Sequence, residues 1–352
     1  MKIVYSHLLN FLEKKPSLEE LSDKLFQLGH EHEIEGEVMD LEITPNRGDC
    51  LSLKGIARDL NHFYKADLDT DHYDADIPES NLVFENKAED LCPNISFVEI
   101  EIEGKVKDYA PYLENYFKDL KLNKNNLFTD ISNYLAYETG QPTHCYKLST
   151  INEPIKLNFL KKSCEFNTLL DKKININEGD LVFCDKKNEV INLAGVVGSD
   201  KTSCDQNTKS VIIECAYFNP ETIIGKSLKY DINSDAAHKF ERNTDPLCHD
   251  YVLRRFLNVV ESHTKMINVE IFSENHIENI NKESSREIKA KKTLQLFRYM
   301  SYKKEFFIEH PKFHLTVIKK GRQFKDDIEE NLSTEEYDKY ISFLNEIEQF
   351  ND

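Results

Sequence analysis

The chain has 352 residues, a length that suits two or three domains, and its 39% hydrophobic residues can fill their cores. Its 45 basic and 63 acidic residues leave a net charge of −18, which argues against a general nucleic-acid binder, because the far field repels phosphate. The eight cysteines are scattered, with no CxxC pair and no His/Cys cluster at zinc spacing, and no apolar run approaches the roughly 20 residues of a membrane span.

Residues 1–64 read as a small α/β unit. The start lacks a signal-peptide pattern, so a soluble, cytoplasmic protein with reduced thiols is expected. Ser17-Leu18-Glu19-Glu20 is a capping box, followed by Leu18, Leu21, Leu25 and Leu28 at helical spacing and by Gly29 as a stop. A strand is expected over Asp40-Leu41-Glu42-Ile43. After Thr44-Pro45-Asn46-Arg47-Gly48-Asp49-Cys50 comes a second helix, Leu51 to Tyr64, with Leu53, Ile56, Leu60 and Phe63 on its apolar face. Residues 65–91 carry Asp67, Asp69, Asp71, Asp74, Asp76 and Glu79 and read as a solvated acidic linker. They lack the spacing and glycine of a calcium loop.

A larger domain is expected over 92–275. Ile95 to Ile102 alternates like a half-buried strand, and Leu113, Tyr116, Phe117 and Leu120 form a helical stripe. Asp130 to Tyr146 runs apolar, breaks at Gly140 and Pro142, and places His144 just past the break. Short β-like runs fill 155–190. Asn192-Leu193-Ala194-Gly195-Val196-Val197-Gly198-Ser199 follows, then the strand Val211 to Ala216, then Ser234 to Pro246, and then a helix from Leu247 to His263. A third, small α/β domain is expected over 276–352.

Three segments resemble, in order, the β subunit of bacterial phenylalanyl-tRNA synthetase. DISNYLAYETGQPTHCYKL is similar to its editing signature, D-V-T-N-Y-V-x-x-E-x-G-Q-P-x-H-A-F-D-L. ITPNRGDCLSLKGIARDL resembles (I/V)-T-P-N-R-x-D-x-L-S-x-x-G-I-A-R-(D/E)-L. The third match joins LAGVVGS, IECAYFNP and SDAAHKFERNTDP to L-A-G-(V/I)-M-G-G, L-E-x-A-x-F-(D/N)-P and S-D-A-S-x-R-F-E-R-G-x-D-P, with Asn243 at a glycine position. The resemblance implies an α+β fold: a mixed or antiparallel sheet editing domain of B3/B4 type packed on the small N-terminal unit, plus a small C-terminal domain. It also implies a truncated form. About ten residues, His30 to Asp40, stand where the family carries an OB-fold tRNA-binding domain. The synthetase-like and anticodon-side domains are missing from the sequence given. No P-loop or adenylation motif is present, so no aminoacylation is expected of this chain alone. Asp327, Glu335 and Glu336 in the tail match the family's magnesium-binding acidic residues too loosely to support a metal.

Family editing domains cleave a wrong amino acid, chiefly tyrosine, from the 3′ ribose of phenylalanine tRNA. Position by position, the resemblance implies His144 and Asn133 as catalytic residues that orient a water nucleophile. It implies Ser132, Ala194, Gly195, Glu214, Ser234 and Ala236 as substrate-binding residues, with no metal and no cofactor. Glu214 matches the acceptor for the tyrosine hydroxyl. From the sequence alone, a charge in so apolar a strand is costly unless used, although alternation equally allows a solvent-facing residue. Ala194, Gly195 and Ala236 equally suit tight packing or a turn. Cys145 adjoins His144, but sequence neighbours do not generally face one another, which argues against a cysteine nucleophile. Asn123 stands where the family has a pocket arginine, and Lys124 lacks that residue's planar fork. The expected partner is the acceptor end of tRNA, with a synthetase α-type subunit as a second; neither membrane nor DNA is expected. The rival readings are a non-catalytic RNA- or protein-binding module and a synthetase subunit working beside an α chain.

Overall fold

The capping box forms as its sequence requires. In the computed structural model, which describes residues 1–277, the Ser17 hydroxyl accepts from the Glu20 N–H and the Glu20 carboxylate accepts from the Ser17 N–H. It opens the second of two helices that follow a first strand: β1 (Lys2–Val4), α1 (Tyr5–Leu9) and α2 (Leu18–Gln27). Gly29 then takes φ +88°, a conformation that favours glycine, and ends the helix. The ten-odd residues after it form a hairpin of β2 (Glu31–Glu35) and β3 (Val38–Glu42), turned at Gly36 and completed by β1 into an antiparallel sheet ordered β1-β3-β2. Helix α3 (Leu53–Tyr64) starts two residues later than its apolar periodicity suggests, because Ser52 is its N-cap and accepts from the Gly55 N–H.

The segment before α3 is pressed onto a distant turn. A Cβ on Gly48 would lie 2.1 Å from the Arg242 carbonyl oxygen, and the Lys239 ammonium donates to the Leu51 carbonyl. Asn243, in that same turn, adopts φ +72° and accepts from the Tyr217 hydroxyl, so asparagine supplies the left-handed conformation there.

The rest of the described chain is β4 (Phe84–Asn86), β5 (Asn94–Glu103), α4 (Pro111–Asp119), α5 (Leu127–Thr139), β6 (Thr143–Lys147), β7 (Ile155–Phe159), β8 (Cys164–Asn167) and β9 (Lys173–Ile176). Then come β10 (Leu181–Cys184), β11 (Val190–Leu193), β12 (Val197–Gly198), β13 (Ser210–Tyr217), α6 (Lys226–Tyr230), α7 (Asp235–Phe240), α8 (His249–His263) and β14 (Lys265–Asn275). An antiparallel sheet ordered β14-β5-β13-β6 is the centre of the described residues. A second sheet, β12-β11-β10-β7-β4, is mixed, with β4 parallel to β7, and β8 and β9 form a separate hairpin. The fold is thus α+β. No helix among the described residues is long and apolar enough to cross a membrane.

Around β13 both faces of the central sheet are covered, by different cores, while the edge strand β14 and the end of β5 at Glu101 and Glu103 reach solvent. Val98, Ile100, Cys145, Val211, Ile213 and Cys215 face α5, α8 and the N-terminal elements in one core. Phe97, Tyr146, Ile212 and Ala216 face the second sheet in another, with Phe183, Leu193 and Phe218. Strand β13 therefore has no solvent side, and its near-continuous apolar run follows from that. Along 65–79 the six acidic side chains are exposed, while the backbone is strapped down: Arg255 donates to the Asp71 carbonyl and Arg254 to that of Tyr73. The expectations for 278–352, including Asp327, Glu335 and Glu336, lie outside the described residues.

Helices α5 and α8 are joined by a buried ion pair. Arg255 Nε lies 3.1 Å from Glu138 Oε1 and Nη2 3.2 Å from Oε2, with Glu138 fully buried. Removing one partner strands the other charge. Glu138→Ala is expected to lower the unfolding free energy by about 3–5 kcal/mol in urea titrations, whereas an apolar replacement of both residues should be near neutral.

Candidate functional site

Glu214 sits mid-strand on β13, and its position follows from the pleat. Residues 212, 214 and 216 share the face that looks onto the second sheet, so the carboxylate enters that apolar core rather than solvent; it is 5% exposed. Its register partners are Phe97 on β5 and His144 on β6. Directly opposed residues hold their Cβ atoms about 5 Å apart, so the carboxylate and the imidazole are neighbours by construction. The Tyr146 hydroxyl, two residues along β6 on the same face, donates to Glu214 Oε2 at 2.5 Å. Asn192 Nδ2 on β11 donates to that same hydroxyl at 2.9 Å. Burial pushes the Glu214 carboxyl up to about 7, against the opposing pull of the Tyr146 bond. Burial, with the nearby carboxylate, also raises the Tyr146 phenol.

His144 is neutral at physiological pH, because burial lowers it to about 4. Its ring meets that of Tyr146 edge-on, centroids 4.4 Å apart. Its other neighbour is the backbone of Gly198 on β12: a Cβ there would lie 2.3 Å from Cε1 and 2.5 Å from Nε2. The missing side chain of Gly198 is what admits the imidazole. His144 Nε2 and Asn192 Oδ1 are both covered and have no hydrogen-bond partner among the described residues. Unpaired buried polar atoms are costly, and two of them beside a buried carboxylate mark a place where water or a ligand group has bonds to make.

The remaining candidates occupy three positions. Ala194 and Gly195 form a buried turn between β11 and β12, with Gly195 at φ +69°. A Cβ on Gly195 would lie 2.6 Å from Ile223 Cδ1 and 3.1 Å from Phe218 Cδ2, so the turn has room for glycine beside those side chains and for nothing larger. Ser234 caps α7 through the Ala237 N–H and donates to the Val196 carbonyl at 2.6 Å, tying α7 to the same turn, while Ala236 packs half-buried against the second core. Ser132 and Asn133 lie on α5, on the opposite side of the sheet from Glu214. The Ser132 hydroxyl donates to the Thr143 carbonyl at 2.7 Å and lies 2.8 Å from its Oγ1, anchoring the helix one residue before His144. Asn133 is exposed, and no hydrogen bond joins its side chain to His144 among the described residues. The structure thus brings Glu214 and His144 together, groups Ala194, Gly195 and Ser234, and sets Ser132 and Asn133 apart.

Tyr146, Asn192 and Gly198 complete the site without having been singled out in the sequence. Tyr146 had a local signal: two residues from His144 on a strand, it must share its face. Asn192 and Gly198 had none, since their roles depend on how the second sheet stacks.

Two other places are distinct from this site. Lys124 and its neighbours Asn125 and Asn126 line a cleft of about 740 Å³ with Lys105, Lys107 and Lys209, and none of the eight candidates lines it. His30, Cys50 and Asp59 place one ligand atom each within 4.8 Å of one another, a cluster that chain spacing did not reveal. The Arg47 guanidinium lies 2.6 Å from both Cys50 Sγ and Asp59 Oδ2, so a cation already serves those groups and they are a poor fit for a metal ion.

Residues 92–265 match the B3/4 domain family. Over 239 residues the chain is 28% identical to a phenylalanine–tRNA ligase beta subunit of Psychrobacter arcticus, covering 66% of this chain and 29% of that protein. A beta subunit from Chlamydia abortus is 31% identical over 219 residues, 61% of this chain and 27% of its own length. Among solved structures, an N-terminal fragment of the phenylalanyl-tRNA synthetase beta subunit from Pyrococcus horikoshii is 14% identical with a TM-score of 0.35, covering 69% of this chain and 73% of the fragment. The chain spans less than a third of the length of these curated relatives.

The two titrating groups bias stability in opposite directions. Glu214 is held protonated to about 7 against 4.5 when unfolded, so stability is lost as pH rises from 4.5 towards 7, by roughly 3 kcal/mol in total. His144 is held neutral to about 4 against 6.5, so stability is lost as pH falls from 6.5 towards 4. Glu214→Gln should remove the first loss and leave the second. In urea unfolding from pH 4 to 9, the variant should gain on the unmutated protein as pH rises, with no further gain above about pH 8.

Proposed function

This chain is a relative of phenylalanine–tRNA ligase beta subunits that carries a B3/4 domain at residues 92–265, and on that premise we propose that it hydrolyses the ester of a mischarged aminoacyl-tRNA. The observation that supports the reading best is the cross-strand pairing of Glu214 with His144, a titratable carboxyl and a neutral imidazole side by side on a buried sheet face. Such a pair offers a hydrogen-bond acceptor for a water and an acceptor for a substrate hydroxyl in a medium that strengthens both contacts.

In this reading a water oxygen adds to the ester carbonyl carbon and the bond to the 3′ ribose oxygen breaks. The ribose oxygen takes up a proton, and the free amino acid leaves. A histidine lowered to about 4 is a weak base at neutral pH, so His144 orients the water rather than removing its proton. The ribose's own neighbouring hydroxyl is placed to relay that proton. Water is the only co-reactant, and no cofactor enters. Tyrosine on phenylalanine tRNA is the substrate that the family resemblance suggests. Contact with the acceptor end of tRNA would run through local basic groups, since the chain as a whole carries −18. A synthetase α-type subunit is the other partner this reading admits.

A second reading, a module that binds without catalysis, is favoured by two observations: Asn133 is exposed on the far side of the sheet, and His144 Nε2 is covered. Incubating the pure chain with tyrosyl-tRNA specific for phenylalanine separates the two. Hydrolysis above the buffer rate is expected, and His144→Ala should slow it about 100-fold while leaving tRNA binding intact, because misplacing the nucleophile by a small distance costs that much. A chain that binds the tRNA and leaves its ester at the buffer rate would be the non-catalytic module.

A further inference from the structure

The acceptor that would read a substrate hydroxyl is already engaged. Glu214 Oε2 holds the Tyr146 phenol at 2.5 Å, and that phenol is the same chemical group as the side-chain terminus of a tyrosyl substrate. The family pattern set out above has phenylalanine at this position, which carries no hydroxyl. Tyr146 is fully buried and fixed from its other side by Asn192 Nδ2, so its hydroxyl has no solvent to turn to.

We propose that Tyr146 is a specificity-determining residue: its hydroxyl takes the place at Glu214 that a substrate hydroxyl would need, and the site accepts aromatic aminoacyl esters without favouring tyrosine over phenylalanine. The inference rests on the hydrolase reading above for its substrate class. Two paths are open to an incoming tyrosyl group. It can displace Tyr146, which exchanges one phenol–carboxylate bond for another and leaves the Tyr146 hydroxyl unpaired in the core, so nothing is gained. It can instead add to the carboxylate as a second donor. There it meets a group whose charge the first phenol has already partly satisfied, and the added bond discriminates little. A site discriminates strongly for a hydroxyl only when the analogue lacking it leaves a buried polar group unpaired. With phenylalanine bound, Glu214 is still paired, through Tyr146.

Tyr146→Phe removes only the hydroxyl and keeps the ring that packs on His144. It leaves Glu214 with an open acceptor, so the substrate hydroxyl becomes the donor that is missing. The test uses non-hydrolysable amide mimics of the charged 3′ end, 3′-deoxy-3′-tyrosylamino-adenosine and its phenylalanyl counterpart. Their dissociation constants are measured by calorimetry at about pH 9, where the Glu214 carboxyl is ionised, on the full chain, on Tyr146→Phe, and on Tyr146→Phe with Glu214→Gln. The unmutated chain should bind the two within about threefold of each other. Tyr146→Phe should favour the tyrosyl mimic by about ten- to a hundredfold, the range of one hydrogen bond to a charged group. The double variant should lose most of that preference, which assigns it to the carboxylate rather than to repacking. A tenfold tyrosyl preference in the unmutated chain, or a ratio that Tyr146→Phe leaves unchanged, overturns the inference alone and leaves the hydrolase reading standing. If none of the three proteins binds either mimic, the substrate class fails and the inference falls with it.

Discussion

A carboxylate on a strand covered from both sides is the constraint on which the site depends. Strand β13 lies between two cores, so Glu214 cannot reach water by choosing the other side of the pleat. A charge there must be neutralised or paired. The protein does some of each: the carboxyl titrates near neutral pH and holds one short bond from Tyr146. The bond fixes Tyr146, the phenol fixes Asn192, and Asn192 and Gly198 face each other across β11 and β12. Gly198 in turn gives the His144 ring its place. One buried acid thus sets the positions of four neighbours on three other strands.

The surrounding architecture keeps that arrangement rigid. On one side of the sheet, α5 is held to β6 by Ser132 and to α8 by the Glu138–Arg255 pair. On the other, the Ala194–Gly195 turn is packed under Ile223 and Phe218 and strapped to α7 by Ser234. The N-terminal elements share the first core instead of forming a core of their own, and the close approach of Gly48 to the Arg242 carbonyl joins them to the turn after α7. Residues that resemble pocket-lining positions by sequence therefore also serve as struts, and their two roles are not separable by residue type.

What was legible in the sequence was local. The capping box at Ser17 and the stop at Gly29 each follow from a few adjacent residues, and each is seen; the left-handed Asn243 follows from its match to a glycine position of the family pattern. The start of α3 was misjudged by two residues because periodicity marks the apolar face while Ser52 decides the onset. The burial of Glu214 was ambiguous, since alternation distinguishes two faces and says nothing about whether both are covered. Gly195 and Gly198 are indistinguishable as glycines; only the stacking of the second sheet shows that one clears space for Ile223 and the other for His144. The His30–Cys50–Asp59 cluster joins a strand entrance, a turn and a helix, and no spacing rule foresees it.

The central claim is that Glu214 is a buried acid that titrates near neutral pH beside His144. Infrared difference spectra of the unmutated chain against Glu214→Gln isolate the protonated-carboxyl band of this one residue. That band should be present at pH 5, reduced to half near pH 7 and absent by pH 9. A Glu214 carboxylate already fully ionised at pH 5 would contradict the claim.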